Sequence, residues 1–295
     1  DRVTSAWNNL KYNELESALE NIKAASEYED TKNDAKTWLY LGHVYFSIDT
    51  TSNAEFADLV KAPKNKAVDA YAKAMALDES GRYGTKIQNN AVRLGVALFN
   101  AGAQDYNSAL KAKKQKDTAA FKKNFEKSLN HFERHFKTRE LAGKYASYIN
   151  QSLTQNGIDP KKTLLYAGYS AYQTEDYAKA IKYLRQLVKA DSEKEDAYLF
   201  LSNVYLAKGD TTKALDVIDS GRMNVPESEG LQNRMLVIYQ QSGQVNKLTA
   251  NLRSSIERNP EDLEKYRVLS STYEQLARKA RDRENSTKAE AYKDS

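Results

Sequence analysis

The chain has 295 residues, 40% hydrophobic and 29% charged, with 12 Gly and 4 Pro, a composition that suits helices with short connections and is too apolar for a disordered chain. The absence of cysteine excludes disulfides, thiolate nucleophiles and cysteine metal sites and leaves the redox compartment open. A net charge of +5, from 45 basic and 40 acidic residues, is mild and does not call for nucleic acid. No apolar run approaches the ~20 residues of a membrane helix. The richest, YLFLSNVYL at 198–206, is short and holds Ser202 and Asn203. The sequence starts at Asp1 with no readable signal peptide, which leaves open whether a leader precedes it.

In chain order, Trp7 and Leu10 fall in one helix and Ala18, Ile22 and Ala25 in the next, giving a helix pair over 1–32. A second pair spans 35–80, with an insertion near 49–65 separating Trp38 and Tyr45 from Ala67, Tyr71 and Ala74. A third, with longer helices, covers 87–137, where Phe121, Phe125, Leu129 and Phe132 recur at helical spacing. Residues 138–156 read as an extra helix closed by Asn156-Gly157, and Asp159-Pro160 opens the next with a cap and a fixed φ.

From 161 the pattern becomes periodic. Ala180, Ala214 and Leu248 lie thirty-four residues apart, as do Leu184, Ile218 and Leu252, then Leu201, Met235 and Leu269, then Tyr205, Tyr239 and Tyr273. Gly209 and Gly243 fall in the turn between two helices, and Pro226 and Pro260 are expected just before the next unit, where proline suits a helix start. A fixed period with changing letters means that size and polarity are constrained at each site. Small residues let two helices approach, and large apolar ones fill the space between units. The regular units are 161–194, 195–228 and 229–262. A further one starts at 263 and runs into the polar RKARDRENSTKAEAYKDS, read either as a solvating cap or as a truncated unit.

Trp38, Leu41, Gly42 and Tyr45 satisfy W-x2-L-G-x2-Y in full, and with the thirty-four-residue period the chain resembles the tetratricopeptide repeat family. The resemblance implies an all-α fold, an alpha-alpha superhelix (solenoid) of stacked antiparallel helix pairs with about six to seven units, right-handed. The expected domains are 1–137 with insertions, an extra helix and bend at 138–160, and regular units with a polar cap over 161–295.

In that family the first helix of each unit lines a concave groove. Carried over by position, the implied peptide contacts are Lys36, Leu39, His43, Phe46 and Ser47, then Lys162, Leu165, Tyr169, Tyr172 and Gln173. The next units contribute Asp196, Leu199, Asn203, Leu206 and Ala207, then Gly230, Asn233, Val237, Gln240 and Gln241. Tyr169 and Tyr172 have an alternative reading as packing against the next helix. One subclass of the family clamps an acidic peptide terminus with Lys and Asn. Asn203 and Asn233 fit that pattern, whereas a convergent set of lysines is absent from the carried-over positions.

The run KAKKQKDTAAFKKNFEK at 111–127 holds seven lysines against two acids and reads first as a solvated face, second as an attractor of an acidic partner or anionic surface. His131 and His135 are four apart, yet their order matches neither zinc-protease motif and no third ligand is evident. No catalytic constellation, phosphate loop or nucleic-acid platform can be nominated, and no cofactor is expected. The expected function is therefore a non-catalytic scaffold for a protein or peptide partner. The alternative is a ligand- or glycan-capture module of a cell-envelope complex, because the tyrosine- and lysine-rich units also resemble exported repeat proteins of the Bacteroidota. That resemblance implies an exported location, periplasmic or envelope-associated, in preference to the cytoplasm.

Overall fold

The computed structural model describes residues 1–140 and 146–293, and among them the chain forms fifteen helical segments and no strand. In order these are α1 (Arg2–Lys11), α2 (Leu15–Glu27), α3 (Ala35–Thr50), α4 (Ala54–Ala57), α5 (Pro63–Leu77), α6 (Gly84–Lys114), α7 (Thr118–Glu140) and α8 (Ala146–Gln155). They continue as α9 (Pro160–Gln173), α10 (Tyr177–Ala190), α11 (Glu195–Ala207), α12 (Thr211–Asn224), α13 (Glu229–Gln241), α14 (Val245–Arg258) and α15 (Leu263–Lys293). The fold is all-α and built of antiparallel helix pairs stacked side by side within two compact units, Asp1–Leu187 and Val188–Ser295.

The pairs share one turn. Asn13, Lys116, Glu175, Gly209 and Gly243 all take left-handed backbone angles, φ 60–76°. After each, the next N–H returns to a carbonyl five residues back: Glu14 to Asn9, Asp117 to Ala112, Asp176 to Ala171, Asp210 to Tyr205 and Gln244 to Tyr239, at 2.8–3.0 Å. This closure satisfies the helix's last carbonyls and reverses the chain. Asp176 and Asp210 then cap the second helix, their carboxylates accepting from the N–H of Lys179 (3.1 Å) and Lys213 (3.0 Å).

In the first unit α1 packs on α2, α3 on α5, α6 on α7, and α9 on α7. Its core runs through Leu39, Val44, Val68, Tyr71, Ile87, Leu94 and Leu98. Glycine sets the closest approaches. A Cβ on Gly42 would lie 2.5 Å from the Tyr71 ring, and one on Gly168 would lie 2.7 Å from Leu184. The insertion at 49–65 is tied down at both ends, by the Lys64–Asp49 ion pair (2.7 Å) and by Val60, which is buried in that core. The extra helix α8 packs on α6 and α7, burying Ile149 and Leu153. Residues 141–145 of the expected extra-helix segment lie outside the described residues. The two compact units meet in sequence inside α10, and α8 packs with the helices of the first.

In the second unit α11 packs on α12 and α13, α13 on α14, and α14 on α15. Ala214, Ile218, Leu248 and Leu252 are all buried, as are Leu201 and Met235. Pro226 and Pro260 lie in the connecting turns just before α13 and α15, and Ser228 takes the cap of α13, its hydroxyl accepting from Leu231 N–H (3.0 Å). At the other site α15 begins only at Leu263. The segment from 263 is one continuous 31-residue helix. No second helix folds back on it among the described residues, and Tyr273 is 40% exposed where Tyr205 and Tyr239 are buried.

Candidate functional site

Helix α3 carries the first set of carried-over residues. Leu39 and Phe46 are buried in the core, since α3 is flanked by α1, α2, α5 and α6 and has little open surface. Lys36 and His43 reach the margin. The His43 Nδ1 lies 3.1 Å from the Tyr71 hydroxyl, and its ring meets Tyr71 edge-on at 5.7 Å. Burial lowers its pKa to about 4, helped by the nearby charges of Lys86 and Arg93 on α6. The imidazole is therefore neutral near pH 7.

Around His43 an aromatic and basic strip takes shape. Tyr40 lies 5.9 Å from the His43 ring and stacks on Trp7 of α1 at 5.0 Å and 15°, and Trp7 is 42% exposed. The Lys36 ammonium sits 5.8 Å over Tyr40, and the Arg93 guanidinium 5.5 Å over Phe46. Lys36, Lys86 and Arg93 have no carboxylate partner among the described residues. A neutral, half-buried imidazole at the centre of such a strip adds no repulsion to an incoming anion.

A second aromatic cluster joins α6, α7, α9 and α10. Tyr106 stacks on Tyr166 at 4.5 Å, and Tyr106 and Phe125 each lie 5.7 Å from Tyr169. Tyr172 lies 6.4 Å from both Tyr169 and Tyr177. Tyr169 also bonds Gln173, and burial raises its hydroxyl's pKa. Tyr169 and Tyr172 thus pack against neighbours while keeping partial exposure. Lys162 is exposed, with its ammonium 5.5 Å over Tyr166, and Leu165 is half-buried.

In the second unit the carried-over residues are more open. Asn203 and Leu206 of α11 are half-buried, while Asn233, Val237, Gln240 and Gln241 of α13 are exposed. Asp196 pairs with Lys194 (3.5 Å), and Leu199 lies against Gly230, whose missing side chain leaves room for the Glu195 carboxylate.

His131 and His135 do not converge. His131 Nδ1 meets Asp105 (2.9 Å), and the fully buried His135 meets the Gly95 carbonyl (2.8 Å), so each imidazole ties α7 to α6. Among the described residues no group of three or more His, Asp or Glu is placed to hold a metal. Trp7 was read from the sequence only as part of a helix stripe, and Tyr40, Lys86 and Arg93 were not singled out. The spacing of Lys86, Asn90, Arg93 and Ala97 along one face of α6 is the signal that finds the last two.

Residues 171–233 match the family model for the tetratricopeptide repeat, so that span carries such repeats. No curated protein matches the chain. Among solved structures the chain is similar to YrrB, described as a TPR protein with an unusual peptide-binding site, at 15% identity and a TM-score of 0.36, covering 84% of this chain and 97% of that one. It is similar to a tetratricopeptide repeat protein from Parabacteroides merdae at 12% identity and 0.36, covering 92% and 97%. It is also similar to the TPR2AB domain of yeast Sti1 in its pHSP90 complex, at 14% identity and 0.34, covering 94% and 97%.

Proposed function

We propose that this chain is a non-catalytic interaction scaffold that holds an extended, acid-rich segment of a partner protein against the first-helix face of α1, α3 and α6. The observation that supports this reading is the Trp7–Tyr40–His43 strip flanked by Lys36, Lys86 and Arg93 without carboxylate partners among the described residues. Trp, Tyr and Arg carry much of the energy of protein interfaces, and an unpaired guanidinium favours a carboxylate in bidentate contact. Tetratricopeptide repeats elsewhere commonly serve as protein-binding scaffolds, and the carried-over residues of α9, α11 and α13 extend the reading to their own first-helix faces.

A displayed random-peptide library tests it. Enrichment of acidic peptides by the wild-type chain, lost in a Lys86→Glu, Arg93→Glu double variant of unchanged helicity, is expected. Enrichment that is indifferent to both reversals contradicts the reading.

A second reading, capture of a small ligand or glycan, draws on a cavity of about 650 Å3 between α7, α8 and α10. Phe136 and Tyr183 stack there at 5.2 Å beside Glu133, Arg139, Asn150 and Gln186. Calorimetry with oligosaccharides, giving saturable heat that Tyr183→Ala removes, is the outcome this reading requires.

A further inference from the structure

The formal charge of the whole chain resides in one short stretch. Residues 111–127 carry seven lysines against Asp117 and Glu126, a local +5 that equals the +5 of all 295 residues and leaves the remainder neutral. The structure gathers these lysines at one end of the α6–α7 hairpin. Lys111, Lys113 and Lys114 lie in the last turn of α6, Lys116 in the connecting turn, Lys122 and Lys123 in the second turn of α7, and Lys127 about one turn further along α7. All seven are exposed, and none has an ion-pair partner among the described residues. Asp117 is occupied as a cap, its carboxylate accepting from Ala120 N–H at 2.9 Å.

We infer that this hairpin end is a docking surface for an anionic phospholipid bilayer, engaged through the headgroup phosphates. Two features favour a lipid surface over other polyanions. Every cation is a lysine, a hydrated point charge suited to diffuse attraction, whereas protein interfaces are depleted in lysine and use arginine for bidentate carboxylate contact. The aromatic rings nearby turn to each other, Phe121 edge-on to Phe125 at 5.0 Å and Phe125 edge-on to Tyr106 at 5.5 Å, so no ring at the tip is offered for the base stacking that single-stranded nucleic acids use. Contact is peripheral, since no helix among the described residues is long and apolar enough to cross a membrane. The inference is independent of the peptide-binding reading, because Lys36, Lys86 and Arg93 lie outside the stretch.

Co-sedimentation with vesicles decides it, using phosphatidylcholine alone and phosphatidylcholine with about one third phosphatidylserine. The wild-type chain is expected to bind only the anionic vesicles at low salt and to be released near 1 M salt, where the screening length is about 3 Å. A Lys111→Gln, Lys113→Gln, Lys114→Gln, Lys116→Gln variant should lose roughly a hundredfold or more in partitioning, from a factor of about five per lysine. A charge-matched control, Lys23→Gln, Lys61→Gln, Lys189→Gln, Lys208→Gln, should stay within about threefold of wild type, because its charges lie outside residues 111–127. No sedimentation at low salt, equal loss in both variants, or preferential binding of a single-stranded oligonucleotide over the vesicles at the same salt overturns the inference. Far-ultraviolet circular dichroism on both variants separates lost binding from lost fold.

Discussion

His43 and Tyr71 meet between α3 and α5, with Nδ1 3.1 Å from the phenolic oxygen and the rings edge-on. The contact joins the margin of the aromatic strip to the fully buried centre of the first unit. Burial dominates both groups, lowering the His43 pKa to about 4 and raising that of Tyr71, so the pair is neutral across the physiological range.

Stability should accordingly fall with acidification. His43 and the buried His135 both have folded pKa values lowered to about 4 from the ordinary 6.5. Between those values the unfolded chain binds protons that the folded chain refuses, so stability is full above about pH 6.5 and declines as pH drops toward 4. Each histidine should contribute on the order of 2–3 kcal/mol of that loss. Urea titrations at several pH values check it. His131 is lowered by burial as well, so the slope of stability against pH between 6 and 5 should shrink by about a third to a half in His43→Gln, and an unchanged slope refutes the assignment.

Gly42→Ala should destabilise the first unit. The added methyl would stand 2.5 Å from a Tyr71 ring that has no exposed side to yield toward. Overpacking of this kind costs about 1–3 kcal/mol. A denaturant midpoint within error of wild type would show that α3 and α5 can separate without penalty.

Glu175 and Gly209 occupy the same place in successive turns and invite opposite substitutions. Glu175 holds φ 63° as a non-glycine residue, so Glu175→Gly should relieve backbone strain and stabilise by about 0.5–1 kcal/mol. Gly209→Ala, at φ 76° with open space around it, should destabilise by about 1 kcal/mol through backbone angle alone. Thermal melts of the two variants moving in the same direction would contradict the shared-turn geometry.

What could be read from the sequence follows from how the fold encodes its period. The helix pairs were legible because Ala180, Ala214 and Leu248 return at constant spacing, and the extended W-L-G-Y set at 38–45 fixed the first-helix register. The turns were half legible. Gly209 and Gly243 announce a left-handed residue, whereas Asn13, Lys116 and Glu175 adopt the same angle with side chains that do not signal it. The candidate strip was legible only in part. Positions counted from the start of α3 included Leu39 and Phe46, which four flanking helices bury, and omitted Tyr40, which faces outward onto Trp7. Lys86 and Arg93 escaped because α6 begins at Gly84 and runs 31 residues, so a thirty-four-residue template does not index it.

Substituting the carried-over positions separates core from surface among them. Leu39 is fully buried in the first unit's core, and Leu39→Ala should remove about 2–5 kcal/mol through lost burial and the cavity left behind. Val237 on α13 is 38% exposed, and Val237→Ala should stay within about 0.5 kcal/mol. In a binding assay the two therefore have different meanings. Weakened capture by Leu39→Ala reports an unsettled fold, whereas weakened capture by Val237→Ala at unchanged stability reports a lost contact. Paired measurements of urea midpoint and partner affinity on both variants make the distinction. If Leu39→Ala left the midpoint within about 0.5 kcal/mol of wild type, the burial of α3 between its four neighbours would be wrong.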